Sequence, residues 1–453
     1  MSARDFGLSP EEKAALLRRM SERPPEAPPL RAPEPIEDLI DPQFRRDRDV
    51  IRAAGDALSL GDPFYRVHDG TAGAETAIGG RRFVNFSSYN YLGLNGDKRV
   101  IAAAKAALDR FGSSASASRI VSGERPVHRD LERGLAEIHG AEDCLAFVGG
   151  HATNVTVIGH LFGAPDLILH DALAHNSMLQ GAALSGARRM SFPHNDVAAL
   201  DRLLATHRAG HRHAAILLEG HYSMDGDIPD LPAMIETARR HRARLMVDEA
   251  HALGTIGPRG FGLAEHFGID PGAVDIWMGT LSKTLAGAGG YIASRAPLIE
   301  YLKFTAPGFV YSVGMAPPLA AASRAALDIL RAEPERVARL NRNAARLRDG
   351  LAAHGVDTGA SAGKSIVPVI TGSSLAAGRL AHALFRRNIN VQPILYPAVP
   401  ERAARLRFFV TSEHSDEQID GAVAAVAAEI AAIERDRIDP AALARRVGAA
   451  PRS

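Results

Sequence analysis

The amino-acid sequence predicts an α/β protein built on a mostly parallel, doubly wound sheet. Three observations point there. Short apolar runs recur at 145–148, 167–169, 214–218, 245–247, 276–278 and 291–293. The segments between them are long enough for helices. Several runs are apolar throughout, as strands covered on both faces must be. Strand alternating with helix then implies parallel pairing through crossovers.

Composition bounds the rest. The chain has 453 residues, 46% hydrophobic and 23% charged, an ordinary globular mix able to bury a core without staples. Lys and Arg number 53 against 52 Asp and Glu, a net charge of +1 that argues against nucleic acid as the main partner. No run of 18 apolar residues suggests a membrane span. The first 17 residues carry scattered charges and no apolar core, so they do not read as a secretory signal. Cys144, the single cysteine, can form neither an intrachain disulfide nor a cysteine zinc cage. It fits a reducing cytoplasm, and its apolar surroundings read as a buried strand rather than a nucleophile.

The elements follow in order. Ser9, Pro10 and Glu12 open a helix predicted to reach about Met20, with Ser9 as cap and Pro10 at the first helical position. Six prolines between 24 and 35 make an extended linker. Residues 1–60 therefore read as a helix and Pro-rich arm, which either packs on the main body or docks a partner. Apolar spacing predicts a helix over 100–111. An Ala-rich stretch at 316–330, after Pro317 and Pro318, predicts a long helix leading into a smaller α/β domain. That domain would contain the runs 366–370, 389–392 and 406–410. Length alone suggests about three domains. The pattern reduces this to an arm (1–60), a large domain (61–320), a small domain (321–435) and a tail (436–453).

The chemistry begins at Asp248, where the apolar run 245–247 ends, with His251 three residues on. Strand ends of a parallel sheet face the ligand crevice. Lys283 follows Asp248 by 35 positions, again just after an apolar run, and Gly287, Gly289 and Gly290 come after it. A lone strand-end Asp is common and a lone Lys is usually solvated. Together, at two strand ends of one sheet, they suit pyridoxal phosphate: the lysine forms the Schiff base and the carboxylate holds the pyridinium proton.

Six ordered motifs carry a resemblance: SYNYLGL at 88–94, ASRIVSG at 117–123, AHNS at 174–177, EGHYSMDGD at 219–227, VDEAH at 247–251 and TLSK at 280–283. On these the chain resembles the α-oxoamine synthases, a branch of the fold-type I pyridoxal phosphate enzymes, over about residues 60–435. The resemblance implies a mainly parallel seven-stranded sheet in a large domain, a smaller C-terminal domain, and a homodimer with shared active sites.

It also implies roles, residue by residue. Lys283 resembles the Schiff-base lysine and Asp248 the partner of the pyridine nitrogen. His175 resembles the histidine stacked on the ring, and His251 the one bonded to the ring oxygen. Ser223 resembles a pocket serine, and Thr280 and Ser282 resemble phosphate-side residues. Gly150-His151 occupies the position where the family uses Gly and an aromatic residue, with backbone amides at a helix start gripping phosphate. The histidine departs from that pattern. Asn90 and Ser118 fall at substrate-side positions. Within Arg405-Leu406-Arg407, Arg407 is favoured as the carboxylate fork on the reasoning that alternate strand residues diverge, leaving Arg405 as a surface arginine of an edge strand. Ser312, in the 311–315 segment, is expected to reach the partner's cofactor phosphate.

The implied reaction joins a small amino acid to an acyl thioester, releasing CO2 and thiol and leaving an α-aminoketone. Ser118 is smaller than the threonine of glycine-using members, which favours alanine or serine. The 89–91 and 219–223 segments look closer to members that take long acyl chains, from coenzyme A or an acyl carrier protein. Two alternatives remain open: another fold-type I enzyme such as an aminotransferase, and a non-catalytic partner subunit. The presence of Lys283, Asp248 and His175 argues against the latter.

Overall fold

The computed structural model describes residues 36–436 and 438, preceded by the isolated positions 11, 14, 15 and 18. The Pro-rich linker, the tail from 439 and most of the helix expected from Ser9 lie outside these residues. Glu11, Ala14, Ala15 and Arg18 within that span are helical.

The chain divides into two units, one of residues 1–59 with 438–453 and one of residues 60–437. The first contains a short 3-10 turn at Ile36–Leu39 and a helix at Pro42–Ala57. Asp41 Oδ1 accepts the Gln43 amide at 2.8 Å where that helix starts.

Among its described residues the second unit carries fourteen strands: β1 (His68–Asp69), β2 (Glu75–Ile78), β3 (Arg81–Asn85), β4 (Asp143–Phe147), β5 (Leu167–Asp171), β6 (Arg188–Phe192), β7 (Ala214–Glu219), β8 (Arg244–Asp248), β9 (Ile276–Thr280), β10 (Gly290–Ser294), β11 (Ile366–Ile370), β12 (Ile389–Asn390), β13 (Gln392–Ile394) and β14 (Arg405–Phe409). Seven form the main sheet in the order β4-β10-β9-β8-β7-β5-β6. β10 is antiparallel to both its neighbours, and the other pairs are parallel. This is the mainly parallel α/β sheet that the apolar runs predict, with the seven strands that the resemblance implies.

Alternation along the strands explains why apolar runs dominate. Leu145, Ile168, Leu217, Met246 and Ile292 pack in one buried cluster. Their neighbours Cys144, Leu169, Leu218, Val247 and Tyr291 pack in another. Both sheet faces are thus covered, and each fully buried Leu or Ile contributes roughly 1.5–3 kcal/mol. Cys144 is such a strand residue, fully buried. β6 escaped the sequence reading because it is an edge strand whose two leading arginines are exposed.

The run 389–392 does not form one strand. Ile389 and Asn390 pair in parallel with Val84 and Asn85, while Gln392–Ile394 pairs with β14. Asn390 Nδ2 donates to Asn85 Oδ1 at 3.0 Å, which fixes that first pairing. The sheets are therefore β1-β2-β3-β12 and β11-β14-β13. Among the described residues no helix is long and apolar enough to cross a membrane.

Candidate active site

The parallel strands deliver carboxylates to one edge of the main sheet. Asp171, Glu219 and Asp248 end β5, β7 and β8, and Glu219 pairs in register with Asp248. Asp248 is buried. Its Oδ2 accepts from Asn154 Nδ2 at 2.8 Å and its Oδ1 from the Ala250 amide at 2.9 Å. Two donors hold the carboxylate in one orientation. Burial, reinforced by the Asp248 charge, pushes Glu219 up to about 8. One Glu219 oxygen accepts from the Ser223 amide at 3.0 Å, and the other is buried without a partner.

Lys283 lies on the loop that leaves β9, one strand from Asp248. Its Nζ stands 5.8 Å from the Tyr89 ring centroid. Burial lowers its ammonium to about 8; Asp248 and Glu219 oppose that shift and Arg407 adds to it. His251, fully enclosed, is held neutral by burial and by the Lys283 and Arg407 charges. Its Nδ1 shares a 2.7 Å hydrogen bond with the buried Tyr91 hydroxyl. His175 caps the helix Asn176–Leu184, with its Nδ1 2.7 Å from Ser177 Oγ. Loss of hydration lowers its pKa; Asp248 opposes this, and Lys283, His151 and Arg407 add to it. His175 and Asp248 are linked through one amide, because Asn154 Nδ2 also donates to Ser177 Oγ at 3.0 Å.

The helix Gly150–Leu161 starts without a side-chain cap, so its first-turn amides face the crevice end of the sheet. A Cβ on Gly150 would lie 2.9 Å from Thr280 Oγ1, so only glycine admits that approach. Thr280 Oγ1 and Ser282 Oγ are 2.8 Å apart beside it. His151 is exposed on the first turn.

Arg407 reaches the turn after β7: its Nη1 donates to the Ser223 carbonyl at 2.9 Å, and its Nε is buried without a partner. Arg405 corrects the expectation. It is buried, and β14 is the central strand of its sheet, not an edge. Residues two apart on a strand share a face, so alternation does not separate the two arginines. What separates them is pairing: Arg405 Nη1 is spent on Asp225 Oδ1 at 2.6 Å and the Met224 carbonyl at 3.1 Å.

Three further expected residues lie on loops. Asn90 ties a loop, donating to the Ala72 carbonyl at 2.8 Å and accepting from the Asn95 amide at 3.0 Å. Ser118 precedes the π-helical turn Arg119–Gly123 and makes no side-chain cap bond there. Ser312 Oγ donates to the Val313 carbonyl at 3.3 Å, on a segment tied to Ala117 through the Gly314 amide. Within one chain, none of the three bonds to the Lys283 cluster. Asn154, Tyr91 and Glu219 join the site although the sequence motifs imply no role for them. Asn154 lies one turn after Gly150 on the face that buries Thr153, Val157 and Ile158, so its sequence position beside the Gly150-His151 helix start was the signal available for it.

The donor set fits one cofactor. A lysine with a lowered pKa, a buried carboxylate one strand away, a free helix start with two hydroxyls and the exposed cap residue His175 match the amine, ring-nitrogen, phosphate and ring-face needs of pyridoxal phosphate. Fold and site together define a pyridoxal phosphate enzyme.

Comparison with known proteins narrows this. The family "Aminotransferase class I and II" matches residues 81–426. The 8-amino-7-oxononanoate synthase of Geobacter sulfurreducens is 40% identical over 361 residues, covering 79% of this chain and 91% of that protein. The serine palmitoyltransferase of Sphingomonas wittichii has a similar structure, with a TM-score of 0.83, 32% identity and coverage of 89% and 100% of the two chains. A serine palmitoyltransferase from S. paucimobilis with bound PLP and myriocin gives a TM-score of 0.82 at 29% identity, over 89% and 100%. The chain belongs to the aminotransferase class I and II family and, within it, to the α-oxoamine synthases.

Proposed function

We propose that this protein condenses a small amino acid, alanine or serine, with an acyl thioester, releasing CO2 and free thiol and leaving an α-aminoketone. The observation that carries the reading is Lys283: an amine lowered to about 8, one strand from a carboxylate held by two donors. Bound pyridoxal phosphate supplies an aldehyde that takes up amines and a cationic ring that draws electrons from the substrate's α-carbon.

The side chains divide the work. Lys283 Nζ would hold the cofactor's aldehyde and, once displaced by the substrate amine, would be placed as a neutral amine to take the α-proton; its lowered pKa keeps a useful share neutral near pH 7. Asp248, steadied by Asn154, would hold the proton on the ring nitrogen. His251, oriented by Tyr91, would bond the ring oxygen, and His175 would cover the ring face. Ser223 lines the pocket, while Gly150, His151, Thr280 and Ser282 take the phosphate. Arg407 offers its unpaired Nε to the substrate carboxylate. Ser118 and Asn90 border the substrate.

In a homodimer, Ser312 of each subunit serves the other's phosphate. The large and small domains divide near residue 320, and the cytoplasm is the proposed location. Relatives named 8-amino-7-oxononanoate synthase favour a biotin-type acyl thioester, whereas the 89–91 and 219–223 segments favour a long acyl chain. The donor is acyl-CoA or acyl carrier protein.

The test is a panel of glycine, alanine and serine against acyl thioesters of several lengths, scored by thiol release. Release that needs both substrates and is lost in Lys283→Ala supports the reading. A keto acid formed from the amino acid without any thioester refutes it in favour of an aminotransferase.

A further inference from the structure

We propose that His194 is a positioning residue that holds the substrate-carboxylate arginine in place through the 222–227 turn. The proposal rests on the reading of Arg407 given above. His194 follows β6 and bridges two carboxylates: Nδ1 lies 2.8 Å from Asp171 Oδ1, and Nε2 lies 2.8 Å from Asp227 Oδ2. Asp171 ends β5 and is fully buried, and Asp227 closes the turn after β7. Asn195 repeats the bridge: its amide donates to Asp171 Oδ2 at 2.9 Å and its Nδ2 to Asp227 Oδ2 at 2.7 Å. The Tyr222 ring packs edge-on against His194 with centroids 4.5 Å apart. Between two carboxylates the imidazole is held cationic, with its pKa raised to about 10 despite burial.

The far side of the same turn holds the arginines. The Ser223 carbonyl accepts from Arg407, the Met224 carbonyl from Arg405, and the Gly226 carbonyl from the Ala362 amide at 2.8 Å. Gly226 has φ +70°, and a Cβ there would lie 2.3 Å from the Ile366 carbonyl, so the turn is pressed onto β11. The turn closes on itself through Tyr222 N to Asp227 O at 3.0 Å and Gly226 N to Tyr222 O at 2.9 Å. It is therefore a rigid piece clamped between β5–β6 and the three-stranded sheet. His194 sets its position from one side, and Arg407 reads that position from the other.

The test uses the cofactor-loaded enzyme and two ligands, alanine and ethylamine, which differ by the carboxylate. Binding is read from the change in cofactor absorbance, and KM and kcat for alanine are measured in parallel. His194→Gln is expected to weaken alanine about tenfold and raise its KM similarly, a change of ~1.4 kcal/mol. Ethylamine binding and kcat stay within twofold. Asp227→Asn, which keeps the turn's shape but weakens the bridge, should show a smaller shift of the same kind and serves if His194→Gln fails to fold. Equal loss for both ligands, or no loss for either, overturns the proposal. Arg407→Gln is the control: if it leaves the preference for alanine over ethylamine intact, the Arg407 reading fails, independently of His194.

Discussion

The lowered pKa of Lys283 makes a quantitative prediction about how fast the cofactor-free protein captures pyridoxal phosphate. Only the neutral amine attacks an aldehyde. With a pKa of about 8, roughly one-tenth of Lys283 is neutral at pH 7, against about 0.04% for an ordinary lysine near 10.4. At equal reactivity, Lys283 should react about two-hundred-fold faster than a surface lysine at that pH. The perturbation is pH itself, from 6 to 10.5, with cofactor-free enzyme and the initial rise in visible-edge absorbance as the assay. The rate should climb about tenfold per unit up to about 8 and then flatten. Asp248→Asn removes a carboxylate that favours the ammonium, so the bend should move to lower pH. The same shift has a stability consequence. The folded pKa lies below the unfolded one, so between about 8 and 10.4 the unfolded chain binds more protons and stability rises with pH. A rate that keeps climbing tenfold per unit through pH 10 would show Lys283 to be an ordinary, hydrated lysine.

Two further predictions concern the groups around it. Asn154→Ala removes the amide on Asp248 Oδ2 and Ser177 Oγ; loss of a hydrogen bond to a charged carboxylate should cost about 1.5–3 kcal/mol in thermal or urea unfolding of the cofactor-free protein. Unchanged stability together with unchanged cofactor affinity would contradict the role assigned to it. Glu249 is fully buried and raised to about 8 by that burial, although the Leu263 amide opposes the shift. Its folded pKa exceeds the unfolded value of about 4.3, so its contribution is complete below that value and is lost as pH rises through 8. Glu249→Gln should flatten the fall in urea-unfolding stability between pH 5 and 8.5, and an unchanged slope would rule Glu249 out as its source.

The apolar runs told where most strands of the main sheet lie because a strand buried on both faces has no polar side to conceal it. Residues 214–219 are buried at every position and were legible for that reason. β6 was not, since an edge strand tolerates exposed arginines. Strand identity also leaves partners open. The run 389–392 looks like one strand, yet its first two residues pair with β3 and its last begins a strand paired with β14.

The reactive centre divides along the same line. Lys283 and Asp248 follow apolar runs, where the residue types alone suggest an amine and a carboxylate at neighbouring strand ends, whereas His175 and His251 stand out only through the motifs shared with the α-oxoamine synthases. The α/β class and the cofactor are legible in the sequence, and those four residues are among those it puts forward for the site. Only the tertiary structure decided how Arg405 and Arg407, alike in type and facing the same way, come to differ. One is neutralised by Asp225 and the other keeps an unpaired Nε. It also decided that Asn154 steadies Asp248 from 94 positions away, and that His194 clamps a turn 33 positions on. The physical reason is common to all three. A polar side chain's task is set by what it bonds to, and those partners are brought close by crossovers whose closure leaves no trace in local spacing.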